Sequence, residues 1–290
     1  MHASTPPPAR YLQPANLADA LAALAREPFT VLAGGTDFYP GRVGKAIDVP
    51  LLDVSRVAGL SGIAREPHGW RIGATTTWRE VMEAPLPPAF DGLKAASREV
   101  GGVQIQNAGT VAGNLCNASP AADGVPPLLA LGAQVELASA GATRRLPLAQ
   151  FVLGNRKTAR TADELVTAIL VPDWPEGARG AFLKLGPRKY LVISIAMVAA
   201  VVALDDAGRI ARCGIAVGAC SAAAISLDAL AQKLVGHMPA EAAPLIVADD
   251  LRALSPINDV RGSAAYRVAA ALILVRQALM QAAAGKAGSA

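Results

Sequence analysis

The run QIQNAGTVAGNLCNASPAAD, Gln104 to Asp123, breaks the alanine- and leucine-rich sequence around it with glycine, asparagine and threonine. Its centre, Gly109-Thr110-Val111-Ala112-Gly113-Asn114, has the composition of backbone that turns several N–H groups toward one point and so binds anions. A second such stretch lies upstream: Ala33-Gly34-Gly35-Thr36-Asp37 follows Phe29 to Ala33, a short apolar run that reads as a strand. Each stretch alone also fits an ordinary turn, because glycine and asparagine dominate turns. Together they can neutralise the two phosphates of a dinucleotide, with the hydroxyls of Thr36 and Thr110 adding hydrogen bonds. Neither a Rossmann motif nor a P-loop accompanies them: no G-x-G-x-x-G joins a strand to a helix, and Gly44-Lys45 runs into Ala46.

Working outward, leucines at 17, 21 and 24 mark a helix over Asn16 to Arg26. Leu51 to Val54 and Trp70 to Ala74 read as strands, and Thr75 to Glu80 offers a threonine cap with a following carboxylate. Leu93 to Val100 reads as a helix running into Gly101-Gly102, and Gln104 to Leu115 as an irregular loop. Ala133 to Ala138 and Thr143 to Leu148 form a hairpin, and Glu164 to Val171 a strand stopped by Pro172. A linker over 172–180 leads to a second unit. There Ile193 to Leu204 pairs with Ile210 to Ala219 across Asp205-Asp206-Ala207-Gly208, and alanine-rich helices follow. The last helix, about Ala264 to Ala283, places Tyr266, Ala270, Ile273 and Leu274 near one packing face. The expected class is α+β, with a domain over 1–175 (lobes about 1–55 and 56–175), a domain over 176–290, and a frayed low-complexity tail from Ala282.

With 290 residues the chain has ample area for a buried core, and 52% hydrophobic against 4% aromatic residues implies small-residue packing. The net charge of +4 is scattered, so nucleic acid is not an expected partner. The longest apolar run, Leu191 to Leu204, falls short of the roughly 20 residues of a membrane span, so no membrane insertion is expected. Met1 to Arg10 has three prolines in a row and no apolar core of a secretory signal, which points to the cytoplasm. Cys116, Cys213 and Cys220 contain no C-x-x-C, and the histidines at 2, 68 and 237 lack metal-ligand spacing. A redox cofactor, if there is one, is therefore expected to be organic, with no metal in the chain.

VLAGGTDF (Val31 to Phe38) and Gln104 to Asp123 resemble the flavin loops of the FAD subunit of the molybdenum hydroxylase family. The likeness extends to Lys184, to Ser194-Ile195-Ala196 and to SPINDVRGSAAYR (Ser255 to Arg267), nearly the whole chain. It implies a vanillyl-alcohol-oxidase (PCMH) type FAD-binding domain followed by a carbon monoxide dehydrogenase flavoprotein-like domain with a small antiparallel sheet and helices, the flavin lying between them. By that resemblance Val31, Leu32, Ala33, Gly34, Gly35, Thr36 and Asp37, with Thr110, Gly113 and Asn114, hold the pyrophosphate of FAD. By the same resemblance Asp123 bonds ribityl or ribose hydroxyls, Val166 lies near the adenine and Lys184 sits beside the isoalloxazine, while Tyr190, following the basic pair Arg188-Lys189, is placed to stack on or shield a ring face. From the residues alone, Asp123 reads equally as a cap for Val125 to Leu131, Lys184 as a solvated strand-end lysine, and Tyr190 as structural. The chain departs from the family at Gln106, where relatives commonly have arginine, and at Ala112, where they frequently have glycine.

The implied function is electron transfer: a [2Fe-2S] small subunit reduces FAD, an external acceptor reoxidises it, and a molybdopterin-binding large subunit performs the substrate chemistry. No side chain of this chain is expected to be catalytic, and the implied assembly is a dimer of heterotrimers. The alternatives are a self-sufficient flavin oxidase, disfavoured by Thr36 standing where some such enzymes place a flavin-linking histidine, and a cofactor-free scaffold, disfavoured by the intact glycine loops.

Overall fold

The computed structural model of the chain describes residues 10–284. The reading of the N-terminal segment, but for Arg10, and that of the tail from 285 on fall outside the described residues, whereas residues 282–284, expected to be frayed, close the last helix with Ala282 buried. The first lobe comprises β1 (Tyr11–Leu12), α1 (Leu17–Arg26), β2 (Thr30–Leu32) and β3 (Leu51–Asp53), with the strands in the parallel order β1-β3-β2. Asn16 caps α1 by accepting from the Asp19 amide, and the helix lays Ala20, Leu21 and Leu24 on Phe29 and Leu52.

The second lobe runs through β4 (Ile63–Glu66), β5 (Gly69–Gly73), α2 (Trp78–Glu83), α3 (Asp91–Glu99), α4 (Val103–Ala108), α5 (Val111–Asn117), α6 (Val125–Ala130), β6 (Gln134–Ala138), β7 (Thr143–Pro147), α7 (Leu148–Phe151), β8 (Val152–Gly154), β9 (Lys157–Thr158) and β10 (Leu165–Pro172). Its antiparallel sheet has the order β4-β5-β10-β6-β7. The sequence reading misses β4 and the β8–β9 hairpin, and its irregular loop at Gln104 to Leu115 is instead the helix pair α4 and α5 joined at Gly109-Thr110. Thr110 makes α5 possible by capping it, which the turn-like composition conceals.

The C-terminal unit contains β11 (Arg179–Leu185), β12 (Ala196–Leu204), β13 (Ile210–Gly218), β14 (Ile225–Ser226), α8 (Asp228–Leu234), α9 (Pro239–Leu245) and α10 (Ala264–Ala284), with its four strands antiparallel in chain order. β12 starts at Ala196, later than its apolar run suggests. Leu191 adopts φ 51°, and the Arg188 guanidinium donates to the carbonyls of Tyr190 and Leu191, which holds that segment as a turn. Both faces of this sheet are covered, by α10 on one side and by α3 and α6 of the preceding lobe on the other. Small residues permit the approach: a Cβ on Gly214 would stand 2.1 Å from the Ala130 carbonyl oxygen, and one on Gly92 2.8 Å from that of Ala181. One apolar core consequently crosses the boundary, placing Phe90, Leu93 and Leu128 with Met197, Ala199 and Val201.

By length and composition α10 could cross a membrane. In the fold, however, Ala271, Val275, Ala278 and Leu279 are buried, Arg267 bonds the Ile195 and Ala219 carbonyls, and Arg276 bonds that of Ile246, so α10 is the core helix of its unit. Of the face expected to pack, Ala270 is buried, whereas Tyr266 and Ile273 are exposed.

Candidate functional site

The chain leaves β2 at Ala33-Gly34 and turns on Gly35, whose φ of +67° suits glycine. Gly34 has no room for a side chain: a Cβ would lie 1.8 Å from the Ala108 carbonyl oxygen and 3.1 Å from the Gly109 nitrogen. A Cβ on Gly109 would in turn stand 3.3 Å from Thr36 Oγ1. The two glycine stretches therefore touch, as the sequence reading requires. The amides of Gly34, Gly35, Thr36 and Asp37 have no hydrogen-bond acceptor among the described residues.

The second stretch does not offer the expected row of free amides. Val111 N donates to the Thr76 carbonyl at 2.9 Å, Ala112 N to that of Ala74 at 3.4 Å, Gly113 N to Thr110 Oγ1 at 3.1 Å and Asn114 N to the Thr110 carbonyl at 3.1 Å. Its contribution is the Thr110 hydroxyl, which keeps its proton to donate, and the platform against which Gly34 packs. Ala112 lies inside α5 without positive φ, so the glycine of its relatives is not required there. Gln106 bonds the Arg98 and Gly101 carbonyls, tying α4 to the end of α3.

A cleft of 360 Å³ lies between the stretches, lined in part by Ala33, Gly34, Thr75, Thr77, Glu80 and Thr110. Glu80 is fixed there by the Thr77 amide at 2.7 Å, the Thr77 hydroxyl at 2.8 Å and the Ser61 hydroxyl at 3.1 Å. Asp37 pairs with Arg156 at 3.3 Å. No Lys or Arg lines this cleft among the described residues, so anion binding there falls to the unsatisfied amides. Trp78 is buried against two glycines: Cβ atoms on Gly109 and Gly124 would lie 3.5 and 2.3 Å from its indole. Nothing in the sequence links those two glycines to Trp78, because only the fold brings them together. Asn114 Oδ1 is buried without a hydrogen-bond partner among the described residues, 3.0 Å from where a Cβ on Gly124 would stand.

Asp123 and Lys184 come together across the boundary between the two units. Lys184 Nζ donates to Asp123 Oδ2 at 2.8 Å, the side chains being 8% and 10% exposed, and the Ser194 hydroxyl donates to Asp123 Oδ1 at 3.1 Å. The structure favours neither alternative drawn from the residues alone: Lys184, one position before the end of β11, has its side chain largely withdrawn from solvent, and α6 begins at Val125 after Gly124, with no side-chain cap. Each Asp123 carboxylate oxygen accepts one of these bonds and keeps a lone pair for a further donor such as a ribityl hydroxyl. Burial pushes the Asp123 carboxyl above the ordinary aspartate range, against the pull of Lys184 and Ser194 and reinforced by the charge of Glu99. Lys184 lines a second cleft, of 460 Å³, with Glu99, Phe182, Gly186, Arg188 and Lys189. Tyr190 follows, 62% exposed, with Lys189 Nζ 5.1 Å from its ring centroid. Val31 and Leu32 belong to β2 behind the first loop, and Leu32 is buried. Val166 is a core side chain of β10 and stands apart from both clefts.

Comparison with known proteins matches the sequence and the fold of this chain to a family. Residues 7–174 match the FAD binding domain in molybdopterin dehydrogenase, and residues 181–282 the CO dehydrogenase flavoprotein C-terminal domain. The chain is 34% identical over 187 residues to the nicotinate dehydrogenase FAD-subunit of Eubacterium barkeri, covering 62% of this chain and 63%, just under two thirds, of that relative. It is 28% identical to the carbon monoxide dehydrogenase medium chain of Hydrogenophaga pseudoflava over 94% of this chain and 96% of that one. The fold superposes on a solved structure of carbon monoxide dehydrogenase from Hydrogenophaga pseudoflava that lacks the Mo-pyranopterin moiety, with a TM-score of 0.86 and 28% identity over 97% of this chain and 99% of the other. Matched in both its parts and in fold, this chain belongs to the FAD-binding flavoprotein subunits of the molybdopterin dehydrogenase family of oxidoreductases.

Proposed function

We propose that the chain is the electron-transfer subunit of a molybdenum hydroxylase-type dehydrogenase. In this reading it takes electrons from a partner [2Fe-2S] subunit and passes them through FAD to an external acceptor, while a molybdopterin-binding large subunit oxidises the substrate and the whole assembles as a dimer of heterotrimers. The observation that carries the reading is the packing of the first glycine loop, with its row of unsatisfied amides, against Ala108 and Gly109 beside a cleft that no Lys or Arg lines among the described residues. Bound there, FAD supplies the redox chemistry, and the residues of the chain hold and tune it.

In this proposal Gly34, Gly35, Thr36 and Asp37 donate backbone amides to the pyrophosphate and Thr110 donates its hydroxyl. Asn114 contributes its side-chain amide as a donor, and Gly113 leaves room for the Thr110 hydroxyl, 2.7 Å from where a Cβ would stand. Lys184 lies at the flavin ring, where a cation favours the reduced, anionic form, and Tyr190 covers the ring from the exposed side of that cleft. Val166 contributes to the adenine end through the sheet that supports it. The domain arrangement is of the PCMH type, with the boundary near 175 between β10 and β11. A cytoplasmic setting is part of the proposal and agrees with the three free cysteines.

The test is an absorption spectrum of the purified full chain, followed by release and chromatography of any yellow cofactor. Releasable FAD in equimolar amount is expected. A chain that takes up no flavin on incubation with FAD, or one that oxidises an organic substrate at full rate without partners, would overturn the proposal.

A further inference from the structure

The Asp123–Lys184 pair has features that a simple lysine–flavin contact does not require. Its two members come from different units, Asp123 preceding α6 and Lys184 on β11, with Ser194 added from the segment before β12. Both side chains are nearly buried, so their charges act through a medium less screening than water. Each carboxylate oxygen has a donor at 2.8 or 3.1 Å, which fixes the orientation of the carboxylate and, through it, that of a long side chain with many rotamers of its own. Without Asp123, Lys184 would be free to move within the 460 Å³ cleft that it lines. The pair is also neutral overall, and the other charges lining the cleft are Glu99, Arg188 and Lys189.

We propose that Asp123 is a positioning residue for the flavin: its carboxylate holds the Lys184 ammonium at the ring and offsets part of its charge, so that the pair, and not the lysine alone, sets how readily FAD is reduced. This rests on the reading that Lys184 faces the flavin. Two consequences of opposite sign follow. Removing the carboxylate charge leaves a full positive charge near the ring and favours the reduced form. Removing the ammonium leaves a buried negative charge and disfavours it.

The experiment measures the reduction potential of FAD on the full-length chain, by spectroscopic titration against reference dyes, in wild type, Asp123→Asn, Lys184→Met and the double variant. FAD stoichiometry is determined alongside. Expected is a rise in potential for Asp123→Asn and a fall for Lys184→Met, each about tenfold in the equilibrium constant, or about 30 mV for a two-electron couple. The double variant leaves no unpaired charge and is expected near the wild-type value, which keeps the test open if a single variant does not fold. FAD retained at an unchanged potential in Asp123→Asn, with the Lys184→Met potential lowered, overturns the role of Asp123 while leaving Lys184 at the flavin. An unchanged spectrum and potential in Lys184→Met instead removes Lys184 from the flavin, and the underlying reading with it. A double variant displaced as far as Lys184→Met alone also overturns the pairing.

Discussion

Gly34→Ala is the perturbation whose consequence the structure states most directly. The new Cβ would fall 1.8 Å from the Ala108 carbonyl oxygen and 2.5 Å from its carbon, where ordinary contact begins at 3.4 Å. Both atoms are backbone at the end of α4, so no side-chain rotation relieves the clash. Either the loop or the helix end must move. Inserting a methyl into a close-packed site costs about 1–3 kcal/mol. If that strain is relieved by separating the two stretches, it appears as weaker FAD binding, roughly 5- to 150-fold in Kd at 1.4 kcal/mol per tenfold. The assay is titration of the apo chain with FAD by flavin fluorescence, paired with thermal unfolding with and without FAD. Gly41→Ala is the control, because no atom lies within 4 Å of its added Cβ. A Gly34→Ala chain that binds FAD as tightly as wild type and melts at the same temperature would refute the argument that these loops must touch to make the site.

Acid should destabilise the second lobe in a defined window. The Arg144 hydrogen bond, opposed by burial and helped by Thr161, lowers Glu164 from 4.5 to about 2, and at Glu136 burial is outweighed by bonds from Arg71, Thr167 and Arg145. A depressed carboxyl stabilises the fold above its unfolded value, so stability is expected in full above pH 4.5 and progressively lost as pH falls toward 2. Melting temperature against pH checks this, and Arg144→Met should flatten the profile; an equally steep acid loss in that variant would count against the assignment. Arg267→Met removes the donors at 2.6 Å from the Ile195 carbonyl and 2.7 Å from Asp259 Oδ1. The unsatisfied Ile195 carbonyl alone is expected to cost about 1–3 kcal/mol, read as a lower midpoint in urea; an unchanged midpoint would show that water or Asp259 rearrangement replaces the guanidinium.

Much of this protein was written locally. The leucine spacing of α1 with Asn16 before it, the Thr77–Glu80 capping box, the β6–β7 hairpin and the Asp-Asp-Ala-Gly turn before β13 each rest on neighbours within a few residues, which is why the sequence alone determined them. The two glycine stretches and the family resemblance likewise identified FAD and the oxidoreductase class before any coordinates. The tertiary structure decided what depends on distant partners. It turned Gln104 to Leu115 from a loop into two helices, because the Thr76 and Ala74 carbonyls accept the amides that a loop would have left free. It buried Lys184, a residue type that prefers water, because Asp123, 61 positions away, and Ser194 supply its charge partner and fix it. Local sequence carries backbone preference and periodicity; the pairing of a buried charge, and the contact of one glycine with another loop's carbonyl, exist only once the chain has closed on itself.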